Sequence, residues 1–193
     1  MRFFADYDRS AAVLYAHQWA YGRNPAFYDY ENVGGDCTNF ASQCVFAGSG
    51  VMNFTPDFGW YYIDANQKSP SWTGVPYFWN FMTRQAPSVG PVAQPCALED
   101  LQPGDLVQLS FNGQEFQHTP VVVRVTAPIT LGSTTPPTAT TPTTGPCPPT
   151  RSRTSGFCTY WAPSGLRQSF AQNEQGKPAG RERLSAGFLL LFP

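Results

Sequence analysis

The chain has 193 residues, a formal net charge of -1, and 13% charged against 15% aromatic residues. That length suits one domain with a substantial core, and the charge balance gives no electrostatic case for nucleic acid or an anionic membrane. No apolar run approaches a membrane span, and Asp6 follows Met1 too closely for a secretory leader, so the default expectation is a cytoplasmic protein.

In chain order, the first expected element is a helix over 10–21. Asp8 or Ser10 can cap it, Val13, Leu14, Ala16 and Trp19 give an apolar face, and Gly22 stops it. A loop rich in Tyr, Asn and Gly leads from Asn24 to Gly35. A second helix is expected over 37–46, with Asp36 at its N-cap and Phe40, Cys44 and Ala47 on one face. An irregular aromatic segment, 54–62, precedes a third helix capped by Thr73, with Pro76 in its first turn. The pattern then turns to β. A turn at 101–105 opens a strand over 106–109, Asn112-Gly113 signals a tight turn, and a return strand reaches His118. Pro120 starts a further strand over 121–125. From Ile129 to Pro149 the chain is mostly Thr, Pro, Ser and Gly, and neither Asp nor His occurs beyond it. The composition divides the chain into a folded domain, 1–128, and a disordered tail, 129–193.

Cys37 carries the chemistry. In the first turn of a helix, unpaired backbone N–H groups and the helix dipole favour a thiolate, the nucleophile of cysteine hydrolases. Such a nucleophile needs a base to take its proton and return it to the leaving amine. His118, at the edge of an apolar strand, fits that role, whereas His17 falls on the exposed side of the first helix. The Cys37 N–H is a candidate oxyanion donor. Other residues read more plainly: Cys44 as inert core, Asp36 as a helix cap, and at least half of Trp60, Tyr61, Tyr62, Trp72 and Trp79 as core, the remainder as lining of a substrate groove. Five cysteines without a CxxC pair indicate neither a disulfide framework nor a zinc site, and Cys–His chemistry needs no cofactor.

Four blocks carry a resemblance: Tyr7-Asp8-Arg9-Ser10-Ala11-Ala12; Trp19-Ala20-Tyr21-Gly22-Arg23-Asn24-Pro25; Gly34-Gly35-Asp36-Cys37-Thr38-Asn39-Phe40-Ala41-Ser42-Gln43; and Gln117-His118-Thr119-Pro120-Val121-Val122. Together, over residues 5–128, they closely resemble the putative amidase domain of clostridia and bacilli, which looks like a branch of the NlpC/P60 and CHAP cysteine hydrolases. Pro103-Gly104-Asp105-Leu106-Val107 is similar to the start of that family's strand as well. The resemblance implies a papain-like α+β fold, with N-terminal helices packed on an antiparallel sheet. It implies Cys37 as nucleophile, His118 as base, and an amide or peptide substrate, such as a cell-wall peptide. A non-catalytic cell-wall-binding module built on the aromatic segment around Trp60, or an inactive remnant of a hydrolase, is the alternative.

The resemblance also implies a third polar residue, on the strand after the histidine strand, that orients the imidazole. Residues 119–172 contain no Asp, Glu, Asn or His. Read one base out of frame, the codon junctions from Pro137-Thr138 to Thr141-Pro142 permit the His-Ser-Tyr-Asp-Ala of the family. Those from Thr154 to Tyr160 permit its Ile-Arg-Phe-Leu-His-Ile. This pattern points to a frameshift between about residues 125 and 136, a truncated sheet, a Val121 strand with an open edge and, with the orienting residue lost, an impaired hydrolase.

Overall fold

The computed structural model describes residues 5–86, 88–125, 157–162, 182–185 and 188–191, the last three segments as strands. Helix α1 runs Arg9–Trp19. Asp8 caps it, its side chain accepting from the Ala11 N–H. Its buried positions are Ala12 and Ala16, whereas Leu14, expected on the apolar face, is 69% exposed. Small residues line this face because α1 lies close against α2, Cys37–Ser49. Gly50, in the left-handed conformation at φ 66°, ends α2 one turn later than the sequence pattern indicates. The third helix comes in two pieces, α3 Pro70–Thr73 and α4 Val75–Met82. Gly74 stands at the N-cap of α4, and Thr73, the expected cap, is instead the last residue of α3.

The strands are β1 Ala93–Pro95, β2 Leu106–Leu109, β3 Val121–Val125, β4 Phe157–Ala162, β5 Glu182–Ser185 and β6 Phe188–Leu191. They form one sheet in the order β1-β4-β2-β3-β6-β5. Pairing is antiparallel from β2 through β3 and β6 to β5, as expected, while β4 lies parallel to both β1 and β2. Helices plus this sheet make the chain α+β. The open edge expected at the Val121 strand is not found, because β6 pairs along β3 from Val121↔Leu191 to Val125↔Phe188. β4, β5 and β6 all fall within 129–193, and the rest of the expected tail lies outside the described residues.

The core between helices and sheet is aromatic. Trp60, Trp72, Phe78, Met82, Leu106, Val121 and Val122 are fully buried. The Trp60 and Trp72 rings lie 4.8 Å apart, Phe81 stacks on Trp60 at 6.2 Å, and Phe27 stacks on Trp72 at 5.8 Å. Polar atoms inside this cluster are paired. Trp60 Nε1 donates to Ser42 Oγ (3.0 Å), Ser42 Oγ to the Trp72 carbonyl (2.8 Å), and Trp72 Nε1 to Asn39 Oδ1 (2.9 Å). Helix α2 is thus pinned to the tryptophans by hydrogen bonds as well as by apolar contact.

The segment ahead of α1 ties the layers together. The Tyr7 ring packs on Gly48 so closely that a Cβ there has no room, and the Tyr7 hydroxyl donates to the Gly104 carbonyl (3.2 Å). Arg9 pairs with the fully buried Asp105 at 2.5 Å, and the other Asp105 oxygen accepts from the Gln102 N–H (2.7 Å). Gly104 has φ 89°, a backbone that suits glycine, and its missing side chain leaves space for Arg9. Removing one partner of such a pair strands a buried charge. Arg9→Ala is therefore expected to destabilise the fold by about 3 kcal/mol, read as a lower urea midpoint; a loss below about 0.5 kcal/mol would mean that Asp105 finds its counter-charge elsewhere.

Candidate active site

Two successive glycines, Gly34 at φ 107° and Gly35 at φ 103°, swing the chain into α2. The Val33 and Gly35 N–H groups both donate to the Tyr30 carbonyl (2.8 and 3.1 Å), which closes the turn. Asp36 follows at the N-cap position, but its side chain makes no cap hydrogen bond. Its Oδ1 accepts instead from the Tyr30 N–H (2.9 Å) and from Asn39 Nδ2 (2.8 Å), with Arg23 Nε 3.7 Å from Oδ2. Asp36 is thus a brace between loop and helix. Its carboxylate does not occupy the first-turn N–H groups of α2, as a capping side chain would. Burial raises its pKa, opposed by the Tyr30 and Asn39 hydrogen bonds and by Arg23.

Cys37, half-buried, is the first residue of the helix. The N–H of Thr119 donates to its sulfur, and Thr38 Oγ1 lies 3.7 Å from it. Thr38 Oγ1 in turn lies 3.3 Å from Thr119 Oγ1. These contacts join the start of α2 to the start of β3. They also set His118 next to the residue whose backbone touches the nucleophile candidate, since adjacent Cα atoms are about 3.8 Å apart. His118 is half-buried, with its ring 6.5 Å from that of Phe111. The Gln117 and His118 N–H groups both donate to the Leu109 carbonyl (2.8 and 3.3 Å), the pattern of a β-bulge. A bulge adds local twist and redirects the side chains beside it. Between the strands, 110–117 forms a wider loop than the tight turn expected from Asn112-Gly113. Gly113 has φ 74°, and Asn112 Oδ1 accepts from the Gln114 and Glu115 N–H groups.

Cys37 departs from the expectation of a low-pKa thiol. Burial pushes its pKa up from the ordinary value, and this outweighs the hydrogen bonds from Thr119 and Thr38 that favour the thiolate. The other residues sort clearly. Cys44 is fully buried and inert, its thiol pushed far up by burial. His17 is exposed on α1. Trp60 and Trp72 are wholly core, so neither can stack on a ligand. The exposed aromatics of that region are Phe54 and Phe58, with Tyr61 stacked on Phe54 at 5.3 Å. Among the described residues no group of His, Cys, Asp and Glu is placed to hold a metal, and no helix is long and apolar enough to cross a membrane. Sequence reasoning missed Thr38, Thr119 and Gln108. Gln108 left one signal, an amide in the middle of an otherwise apolar strand.

The sequence profile of the family described as "Putative amidase domain" matches residues 6–142. The chain belongs to this family. It is also 37% identical over 120 residues to the uncharacterized protein YhbB of Bacillus subtilis (strain 168), a match covering 61% of this chain and 37% of that protein. This chain therefore spans well under half of the relative's length. No solved structure matches the chain significantly. The family match includes the Cys37 block and the His118 block, and it ends inside the Thr/Pro-rich segment.

The raised Cys37 pKa has a defined consequence. A thiol with a pKa above the ordinary 9.0 is almost wholly protonated at neutral pH. Its alkylation rate should climb about tenfold per pH unit from pH 7 to 8 without levelling. Iodoacetamide labelling, followed at the Cys37 peptide by mass spectrometry, checks this; a plateau below pH 8 would show a depressed pKa instead.

Proposed function

We propose that this chain is a cysteine amidase or peptidase that cleaves an amide bond in a peptide substrate. The observation that carries the reading is the contact of the Thr119 N–H with the Cys37 sulfur, which seats the strand of His118 on the N-terminus of the nucleophile's helix. A helix-borne cysteine packed against a strand that carries the base is the arrangement of papain-like hydrolases, and we infer that fold type here. A peptide of the cell-wall type, with its many amide bonds, is the substrate class we favour.

His118 takes the proton from the Cys37 thiol as the sulfur attacks the carbonyl carbon. The carbonyl oxygen gains negative charge beside the first-turn N–H groups of α2, which the Asp36 carboxylate leaves uncapped. The C–N bond then breaks, and His118 returns the proton to the departing amine. Water, deprotonated by His118, attacks the thioester and releases the carboxylic acid and the thiol. Because the resting thiol is protonated, the base is needed in the first step rather than only to hold an ion pair.

Acylation by p-nitrophenyl acetate gives a test independent of the natural substrate. A mass increase of one acetyl group is expected on the Cys37 peptide. It should be absent in Cys37→Ala and at least about a hundredfold slower in His118→Ala. Acylation confined to Cys96, or ester turnover unchanged in Cys37→Ala, would refute the assignment.

The frameshift belongs to the same reading. The family match runs only to residue 142, and the expected orienting residue has no counterpart between 119 and 172. Sequencing the coding DNA across codons 120–165 is expected to show a one- or two-base slip that restores the family's frame; an unbroken frame matching this chain would end that explanation.

A further inference from the structure

Gln108 sits inside β2 between Val107 and Leu109, with no exposed surface. The pairing Leu106↔Val121 and Leu109↔His118 places it directly across from Thr119. Its Oε1 accepts from Thr119 Oγ1 at 3.4 Å, and its Nε2 is buried with no hydrogen-bond partner among the described residues. A buried amide nitrogen without a partner is costly, so such a group calls for an explanation. Beyond Thr119 the contacts continue to Thr38 Oγ1 (3.3 Å) and on to Cys37 Sγ (3.7 Å). Gln108, Thr119 and Thr38 are all buried, away from bulk solvent.

Each threonine hydroxyl has one proton to donate, which gives the chain a direction. With Gln108 Oε1 facing Thr119, the Thr119 proton points to the amide and the Thr38 proton to Thr119. The sulfur then acts as donor, which requires the thiol. A thiolate can only accept. Thr38 must then donate to sulfur, Thr119 to Thr38, and Gln108 to Thr119. Only the Nε2 end of the amide can make that last bond, and a half-turn about the terminal side-chain bond presents it.

We propose that Gln108 is a positioning residue for Cys37: its amide sets the direction of the Gln108–Thr119–Thr38 hydrogen-bond chain and supplies the donor that the thiolate requires. This rests on Cys37 being the nucleophile. It also accounts for an Nε2 that has no partner among the described residues: it is the donor held in reserve for the charged state. A side chain of similar volume without an N–H cannot replace it.

The test is the pH dependence of iodoacetamide labelling at Cys37 in the full chain, with thermal melting run on every variant. In Gln108→Met the log-rate line should move about one pH unit to the alkaline side, so labelling at a given pH is about tenfold slower. Thr38→Val should do the same, Thr38→Ser should restore the wild-type line, and Gln108→Met combined with Thr38→Val should move no further than either alone. A Gln108→Met profile superimposed on wild type overturns the proposal. If that variant does not fold, a Thr38→Val profile equal to wild type overturns it equally, since the chain then fails to reach the sulfur. The His118→Ala acylation result separates the two ideas. Acylation unaffected by His118→Ala, with labelling shifted by Gln108→Met, sinks the hydrolase assignment alone. The reverse pattern sinks only the role of Gln108.

Discussion

The amide of Asn39 is the point on which the geometry around Cys37 depends. Its Nδ2 donates to Asp36 Oδ1 and to the Tyr28 carbonyl (2.8 and 3.0 Å), and its Oδ1 accepts from Trp72 Nε1 (2.9 Å). One buried side chain thus fixes the residue before the nucleophile, the loop that delivers it and the tryptophan at the centre of the core. Both N–H donors and the amide oxygen have partners, which makes a buried polar network stabilising rather than costly. The consequence is directional. The aromatic core is rigid, α2 is hydrogen-bonded to it through Ser42 and Asn39, and Asn39 in turn holds Asp36, so the Cys37 backbone is held from below.

Support from the other side comes through the segment ahead of α1. Tyr7 touches Gly48 near the end of α2 and reaches Gly104 at the start of β2, while Arg9 pairs with Asp105. Two sequence blocks far apart in the chain, Tyr7-Asp8-Arg9 and Pro103-Gly104-Asp105, prove to be the two halves of one joint. That joint sets the depth at which β2 lies under the helices, and hence the level at which Gln108 and Thr119 meet Thr38.

How far the sequence could be read follows from what each element depends on. The start of α2 was legible because Gly34-Gly35-Asp36 is a local signal, and the strands at Leu106 and Val121 were legible from their apolar runs. The start of α4 was misplaced because Thr73 belongs to a four-residue helix that no periodicity can reveal. β1 was invisible: Ala93–Pro95 has no strand propensity and is a strand only where β4 pairs with it. At the site, the order of Cys37 and His118 identified a candidate pair. The contacts among Thr38, Thr119 and Gln108 needed the register of β2 on β3, which is a tertiary property. The direction of the Cys37 pKa needed burial, which helix-terminus reasoning leaves out.

The sheet order has a consequence for the making of the protein. β2 and β3 lie side by side at its centre, yet their outer neighbours, β4 and β6, come from the last quarter of the chain. On the ribosome, the helices and the β2–β3 ribbon emerge first, and that ribbon has both edges bare until about thirty to sixty further residues have followed. Two strands alone are marginal in water, and bare edges recruit other chains. During that interval the helices must shelter the ribbon, and co-translational aggregation competes with the arrival of the final strands.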